Sequence, residues 1–265
     1  YLPRQQPLVV NNRQVAQVRL LGEKGGKHGG MPEAASNTTV QAMVRPGKKF
    51  KKGRKIELTD TISAKVLEID DEGLRTLKMN PSLDHQVYDQ YKHTPFPPYI
   101  EQNESLSEKY QTVYADDLGS KAAPTAGLHF TDELLAQIEE EGIEQAEVTL
   151  HVGLGTFAPV KADSIEEHTM HSEWFKITED TAKKLNNAEH LTAVGTTGVR
   201  VLESDLREHK ELTSTKMGTG ILILHRFEFK EPAALIINFQ LATSTLLMLI
   251  QPFPGSQEIN RIYQH

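Results

Sequence analysis

The 265-residue sequence contains no cysteine, and this absence excludes several kinds of chemistry at once. A disulfide framework, a thiolate zinc site and a cysteine nucleophile all need the thiol group. Long apolar runs are also missing: Leu246 to Ile250 is far shorter than the roughly 20 residues of a membrane-spanning helix. The first residues, Tyr1 to Pro7, have neither the charged start nor the apolar stretch of a secretory signal. We therefore expect a cytoplasmic protein with no membrane contact.

Positive charge is scarce, with 29 Lys and Arg against 36 Asp and Glu and a formal net charge of −7. This balance argues mildly against a nucleic-acid partner, although a whole-chain sum can conceal a local patch. One patch without any acidic residue comprises Arg45, Lys48, Lys49, Lys51, Lys52, Arg54 and Lys55. It is either a solvated loop with Pro46, Gly47 and Gly53 as turn residues, or an arm that contacts phosphates.

The distribution of short apolar runs indicates two domains. Between about Val15 and Asp71 these runs are separated by Gly, Lys, Asn and Asp clusters, which is typical of a small β-barrel. After the proline-rich segment at residues 95–99, strands and helices alternate. We predict a mixed α/β (α+β) protein whose main α/β body comprises residues 1–15 and 95–265. Residues 16–94 are predicted to form an inserted small β-barrel domain.

Turn residues and periodicity place the individual elements. Thr131 has the character of an N-cap, with Leu134, Leu135 and Ile138 as an apolar stripe and Gly142 at the end of the helix. Further helices are predicted at Thr178–Leu185 and Ser244–Ile250, strands at Leu8–Val10, Val18–Leu21, Val40–Val44, Ile56–Leu58, Ala64–Ile69, Val148–Val152, Leu191–Val194, Ile221–Leu224 and Ala234–Phe239, and a flexible connection at Gly25–Gly30.

Two polar segments lie directly beside predicted helices or strands and are candidates for a ligand site. In Ala122 to Phe130, a Pro-Thr-Ala-Gly turn lies just before the helix that Thr131 caps, so its backbone N–H groups could bind an anion, with His129 at its mouth. The alternative is a capping turn with a packed histidine. After the next strand, His151 lies on the polar face, and Gly153 and Gly155 permit close approach of a ligand, although such glycine pairs are common in ordinary turns.

A third segment carries His168, His171 and Glu173. Two histidines three residues apart and a nearby carboxylate could bind a metal if the segment were helical. Trp174 and Phe175 instead indicate that the segment becomes a strand, which places His171 and Glu173 on one face. We therefore favour a hydrogen-bonded acid/base pair and expect no metal.

The fourth segment, Ala193 to Ser204, leads from a strand through a turn rich in Gly and Thr into a helix. Thr196, Thr197 and the turn amides could hold a carboxylate or phosphate at the start of that helix. Arg200 and Glu203 lie three residues apart, where a surface ion pair is the alternative to a role in binding. The turn matches neither standard nucleotide-binding fingerprint.

Five blocks of the sequence together resemble one enzyme family. They are Tyr110–Tyr114 (YQTVY), Ala122–Phe130 (AAPTAGLHF), Val148–Phe157 (VTLHVGLGTF), His168–Glu173 (HTMHSE) and Gly195–Thr197 (GTT). In type and order these blocks are similar to those of the S-adenosylmethionine:tRNA ribosyltransferase-isomerases of queuosine biosynthesis. The resemblance extends from about Leu8 to Ile250.

This resemblance implies a specific reaction and a two-domain architecture with an inserted barrel. The ribosyl part of S-adenosylmethionine, the co-substrate, is transferred to 7-aminomethyl-7-deazaguanine at the wobble position of tRNA. Rearrangement gives epoxyqueuosine-tRNA, adenine and methionine. The resemblance also implies that tRNA carrying this base is the partner, and we expect a monomer.

The resemblance further implies that the polar segments surround one pocket. Catalytic roles are expected for His129, His151, His171 and Glu173, with His171 or His151 as the base and Glu173 orienting it. The S-adenosylmethionine site is expected to comprise Thr125, Gly127, Gly153, Gly155, Thr156, Thr196, Thr197 and Arg200. The tRNA and its base are expected to contact Asn11, Asn12, Lys48, Lys49, Lys51, Lys52, Arg54 and Asn238.

Some motifs depart from the family pattern. The chain reads Asn-Asn-Arg-Gln-Val at residues 11–15, where the family usually has Asn-Asn-Thr-Arg-Val, and Asn-Phe-Gln-Leu-Ala at residues 238–242 for Asn-Phe-His-Leu-Pro. Gly198 replaces a usual serine, and the family's aromatic C-terminal block does not follow His265. The alternative to an active enzyme, whole or part of a longer one, is a catalytically impaired tRNA-binding homologue. A histidine-based metal hydrolase is the third hypothesis.

Overall fold

Two compact units make up the chain in the computed structural model: Tyr1–Gln14 with Lys109–His265, and Val15–Glu108. The structure describes residues 2, 4, 6–16, 19–20, 28–71, 73–97, 100–101, 103–152, 173–221, 223, 227–239, 250 and 252–264. Its strands are β1 (Leu8–Asn11), β2 (Arg13–Val15), β3 (Arg19–Leu20), β4 (His28–Ser36), β5 (Thr39–Arg45), β6 (Lys55–Glu57), β7 (Ser63–Ile69), β8 (Arg75–Asn80), β9 (Lys92–His93), β10 (Asp117–Ser120), β11 (Gln145–Leu150), β12 (Glu173–Ile177), β13 (Thr192–Val194), β14 (Thr215–Thr219) and β15 (Ala234–Ile236). The α-helices are α1 (Asp132–Glu140), α2 (Glu179–Asn186), α3 (Gly195–Glu208) and α4 (Ser256–Tyr263).

The first unit contains a six-stranded mixed sheet in the order β14-β12-β11-β1-β13-β15. Strands β11, β1, β13 and β15 are parallel to one another, whereas β12 is antiparallel to β11 and β14 is antiparallel to β12. Helices α2 and α3 cover this sheet with a core that includes Val9, Leu150, Phe175 and Leu202. The predicted mixed α/β body is confirmed in this unit.

Local sequence signals explain where α1 begins and ends. The Thr131 hydroxyl accepts a hydrogen bond from the Leu134 backbone N–H at 3.2 Å, as predicted for an N-cap. At the other end, Gly142 has a φ of +80°, and the N–H groups of Gly142 and Ile143 donate to the carbonyls of Glu139 and Ile138. The predicted stripe needs one correction, because Leu134 is 40% exposed.

The helices that follow agree with the predictions. Thr178 caps α2 by accepting from the Thr181 N–H at 3.2 Å. Val199 and Leu202 of α3 are buried, and their spacing places both on one face of the helix. None of the helices in the described part of the chain has the length and apolar composition needed to cross a bilayer. The predicted helix Ser244–Ile250 lies outside the described residues, apart from Ile250.

The second unit is built on a seven-stranded antiparallel sheet in the order β6-β7-β8-β5-β4-β3-β9. Its core includes Val40, Val66, Leu77 and Tyr88. The predicted β-rich character is confirmed. Among the described residues no ladder joins the end strands β6 and β9, so this sheet is open and the closed barrel is not confirmed.

Three strand predictions need correction. Residues 28–30, predicted to be a flexible connection, belong to β4, whose register with β5 has two irregularities. Ile221 and Ile223 lie outside any strand, and Ile223 is buried beside Ala193 and Val199. A short apolar run cannot distinguish a buried loop from a strand. The actual strand β14 was missed because this edge strand has few apolar residues.

Candidate active site at the carboxyl edge of the sheet

The carboxyl ends of four parallel strands lie at one edge of the sheet in the first unit. Because β11, β1, β13 and β15 are consecutive neighbours, the residues that follow them lie side by side. These residues are Asn11 at the end of β1, His151 after β11, Gly195 after β13 and Asn238 shortly after β15. This edge is where open α/β sheets bind ligands.

Two asparagines join the ends of β1 and β11. The fully buried Asn11 side chain accepts from the Leu150 N–H at 3.0 Å and donates to the Leu150 carbonyl at 3.5 Å. Asn12 accepts from the Thr149 hydroxyl at 2.8 Å and donates to the Glu147 carboxylate at 3.1 Å. Both amides therefore stabilise the strand ends, and their contact with a substrate stays a prediction.

A cationic and aromatic cluster surrounds His151. The guanidinium of Arg13 is buried, binds the Asp117 carboxylate at 2.5 Å and contacts the His151 Nδ1. Trp174 stacks on His151 with ring centroids 5.6 Å apart and planes 15° apart, and the Arg13 guanidinium carbon lies 5.0 Å from the tryptophan ring. The Lys216 ammonium lies 4.7 Å from the same ring. The departure from the family motif thus places an arginine directly against a predicted catalytic histidine.

Glu173 and Arg200 form a buried ion pair on the other face of the sheet. Their carboxylate and guanidinium are hydrogen-bonded, with 3% and 6% of the two side chains exposed. Because alternate residues of β12 face opposite sides, Glu173 points away from the Trp174 face on which His151 lies. In the part of the chain that the structure describes, Glu173 is therefore directed away from His151 and pairs with Arg200. The structure also excludes a surface pair of Arg200 with Glu203, because the buried Glu203 carboxylate accepts from the Lys230 and Glu231 N–H groups.

The Thr125–His129 turn is a short 3-10 helix held close to the sheet edge. Its Thr125 carbonyl accepts from the Asn238 amide at 3.0 Å. At Gly127, a Cβ atom would lie 1.9 Å from the Tyr114 hydroxyl oxygen and 2.8 Å from Thr112 Cγ2. The glycine is therefore needed because Tyr114 and Thr112 approach its backbone closely; its predicted contact with S-adenosylmethionine stays a prediction. His129 at the end of this turn is exposed.

Three hydroxyl groups in this region are candidates for ligand contact. The hydroxyls of Thr112, Tyr114 and Thr197 are buried, and none has a hydrogen-bond partner in the part of the chain that the structure describes. Burial raises the pKa of Tyr114, so its hydroxyl remains a hydrogen-bond donor at neutral pH. Native proteins rarely leave buried polar atoms unsatisfied, so these groups suit a polar ligand. Thr197 was predicted; Thr112 and Tyr114 were missed.

Replacing Gly127 by alanine should lower the free energy of unfolding by about 1–3 kcal/mol, because the added methyl group must displace Tyr114 and Thr112. Denaturant-induced unfolding measures this loss. In a Tyr114→Ala background the same substitution should be clearly less destabilising. An equal loss in both backgrounds would contradict the assigned packing.

The structure describes only some of the remaining predicted site residues. Gly153, Gly155, Thr156, His168 and His171 lie outside the described residues. Thr196 lies in the first turn of α3 and is partly buried. Within the described ranges no group of three or more potential metal-ligating side chains is present.

The predicted basic patch lies in the second unit, mostly between β5 and β6. Each of the side chains of Lys48, Lys49, Lys51, Lys52, Arg54 and Lys55 is exposed. Phe50 is buried and anchors this loop in the core of the unit. Arg75 binds the carbonyls of Gly73, Gly47 and Phe50 with its guanidinium, the last two at 3.3 and 3.5 Å. The loop is therefore fixed while its charges remain available.

Comparisons with known proteins agree with the sequence blocks. A family model described as "Queuosine biosynthesis protein" matches residues 1–265. The S-adenosylmethionine:tRNA ribosyltransferase-isomerase of Desulfitobacterium hafniense is 40% identical over 267 residues, which cover 97% of this chain and 78% of that protein. The enzymes of the same name from Natranaerobius thermophilus and Thermosipho melanesiensis are 43% and 44% identical. Those matches cover 97% and 99% of this chain, and 78% and 80% of the relatives.

Proposed function

The chain belongs to the queuosine biosynthesis protein family, and on this premise we propose that it is an S-adenosylmethionine:tRNA ribosyltransferase-isomerase. In the proposed reaction the ribosyl moiety of S-adenosylmethionine is transferred to 7-aminomethyl-7-deazaguanine in tRNA and isomerised. The products are epoxyqueuosine-tRNA, adenine and methionine. The observation that carries the proposal is that four segments far apart in the sequence, represented by Asn11, His151, Gly195 and Asn238, meet at one sheet edge.

This chemistry requires proton transfers at two points. A base must remove a proton from the carbon next to the sulfonium, and a donor must stabilise adenine as it leaves. His151 and His171 are the proposed groups, because imidazole exchanges protons near neutral pH. The hydroxyls of Thr112, Tyr114 and Thr197 are proposed to hydrogen-bond the polar atoms of the substrate.

Release of free adenine tests this proposal directly. The chain is incubated with S-adenosylmethionine and tRNA that carries the precursor base, and adenine is quantified by chromatography. The expected result is adenine release that depends on the precursor base, with none from tRNA carrying unmodified guanine. The absence of adenine release together with retained tRNA binding would instead support a catalytically impaired homologue. The altered motifs at residues 11–15 and 238–242 favour that second candidate.

We propose that residues 16–94 form an inserted module whose basic loop contacts tRNA phosphates. The exposed lysines and the absence of acidic residues between Arg45 and Lys55 support this role. Phosphates bound by lysine release counterions, which makes such binding sensitive to salt.

Glutamine at Lys48, Lys49, Lys51 and Lys52 should therefore weaken tRNA binding and flatten its salt dependence. The slope of log affinity against log salt should fall in magnitude by about 0.7–0.9 for each phosphate contact removed. Fluorescence anisotropy with labelled tRNA at several salt concentrations measures both effects. Lys183→Gln on α2 is the matched control, since that lysine already pairs with Glu179 at 2.6 Å. A wild-type affinity that does not change with salt would exclude the loop from the interface.

A further inference from the structure

The contact between Arg13 and His151 determines where the imidazole proton lies. A guanidinium has only N–H donors and stays protonated in proteins. The His151 Nδ1 in contact with it must therefore accept the hydrogen bond, which requires an unprotonated Nδ1. The single remaining proton then lies on Nε2, and the ring is neutral.

The surroundings hold Arg13 in this position. Its guanidinium is fixed by the Asp117 carboxylate at 2.5 Å and lies against Trp174, with the side chain 3% exposed. Gly119 has a φ of +131°, and a Cβ there would lie 3.0 Å from the Arg13 Nη2 and 3.7 Å from His151 Cε1. The absence of a side chain at Gly119 therefore provides the space in which the two groups meet.

The charges around His151 in the described part of the chain also disfavour a second proton on the ring. Arg13 of β2 contacts the ring directly, and Lys216 of β14 lies on the same tryptophan. The Asp117 carboxylate is hydrogen-bonded to Arg13. A like charge in direct contact with the ring, as Arg13 is here, disfavours an imidazolium.

We propose that Arg13 is a positioning residue that holds His151 as a neutral hydrogen-bond donor through Nε2. His151 would then stabilise negative charge on the leaving adenine, and proton abstraction would belong to another group, for which His171 is the candidate. This assignment of roles rests on the proposed function. The protonation state of the His151 ring does not depend on the proposed function, so it can be tested in the absence of any substrate.

The single tryptophan of the chain, Trp174, provides a probe of this state. A stacked imidazolium quenches indole fluorescence, whereas a neutral imidazole does so weakly. In the wild-type protein we expect no His151-dependent quenching between pH 8 and pH 5.5. In Arg13→Gln a quenching transition should appear near pH 6.5, about where imidazole ordinarily titrates, and it should be absent from the Arg13→Gln, His151→Gln double variant. A wild-type transition with the same midpoint as Arg13→Gln would overturn the proposal.

A second measurement needs no variant of Arg13. In the wild-type protein with 15N-labelled histidine, the imidazole signals of His151 are assigned by their loss in His151→Gln. At pH 7 the expected spectrum has an unprotonated Nδ1 and a protonated Nε2. A protonated Nδ1 would refute the inference, even if Arg13→Gln failed to fold. Because neither experiment measures turnover, a failure of the adenine assay would leave this result unaffected.

Discussion

Replacement of Glu173 by leucine should lower the free energy of unfolding by about 3–5 kcal/mol. The substitution leaves the Arg200 guanidinium buried without its counter-ion, and 6% of the Arg200 side chain is exposed. Two further nitrogen atoms of this guanidinium, Nε and Nη2, have no partner among the described residues, so little else can compensate the charge. Equilibrium unfolding in urea, followed by circular dichroism, measures the loss.

Two controls separate the buried charge from other effects. The double variant Glu173→Leu, Arg200→Met removes both charges and should recover much of the lost stability, because apolar side chains of similar volume often replace buried pairs without loss. Glu179→Gln breaks the exposed pair with Lys183, whose side chains are 72% and 67% exposed, and should change stability by less than about 1 kcal/mol. If the double variant were no more stable than the single one, charge burial would not explain the effect.

Replacement of His151 or His171 by glutamine should slow adenine release by different mechanisms. For His151 we expect a loss of about 10²–10³-fold, the range for removal of one hydrogen-bond donor that stabilises developing charge. For His171 we expect about 10²–10⁴-fold, the range for a general base. Single-turnover release of adenine at saturating substrate measures both rates.

The pH dependence distinguishes the two roles. The rate of the His151→Gln variant should keep the decline toward acidic pH that protonation of the base causes, whereas His171→Gln should lose it. His190→Gln is the control, since His190 is exposed in the loop that precedes β13, at the opposite edge of the sheet from the candidate site. Full activity in both the His151 and His171 variants would exclude the proposed histidine chemistry.

The sequence predicted elements well where a short signal determines the local structure. Thr131 and Thr178 cap their helices and Gly142 ends α1, since each signal acts within one turn of backbone. Strand β14 and the N-terminal part of β4 were not predicted, because their formation depends on partners far along the chain. Closure of the predicted barrel likewise depends on pairing between strands, which the spacing of apolar runs cannot determine.

The candidate site could be predicted only in part. The position of His151 at the end of a strand follows from alternation along β11, and the side-by-side arrangement of the segments follows from parallel strands. The choice of ionic partners could not be predicted. Arg200 pairs with Glu173 and not with Glu203, although the latter is close in sequence, because the packing of α3 on the sheet determines which carboxylate is near. From the sequence, Arg13 was interpreted only as a departure from a family motif. Its contact with His151 could not be predicted, because the two residues lie in or directly after strands that are far apart in the sequence.

The hydrogen bonds between Arg75 and the basic loop have a consequence for the energetics of association. Its guanidinium binds the carbonyls of Gly47 and Phe50 within the basic loop and that of Gly73, so the repulsion among neighbouring cations is overcome when the polypeptide folds. A polyanion that meets this surface encounters a backbone that is already ordered, and less conformational entropy is lost on docking. Folding of this unit therefore also lowers the entropic cost of binding to its basic loop.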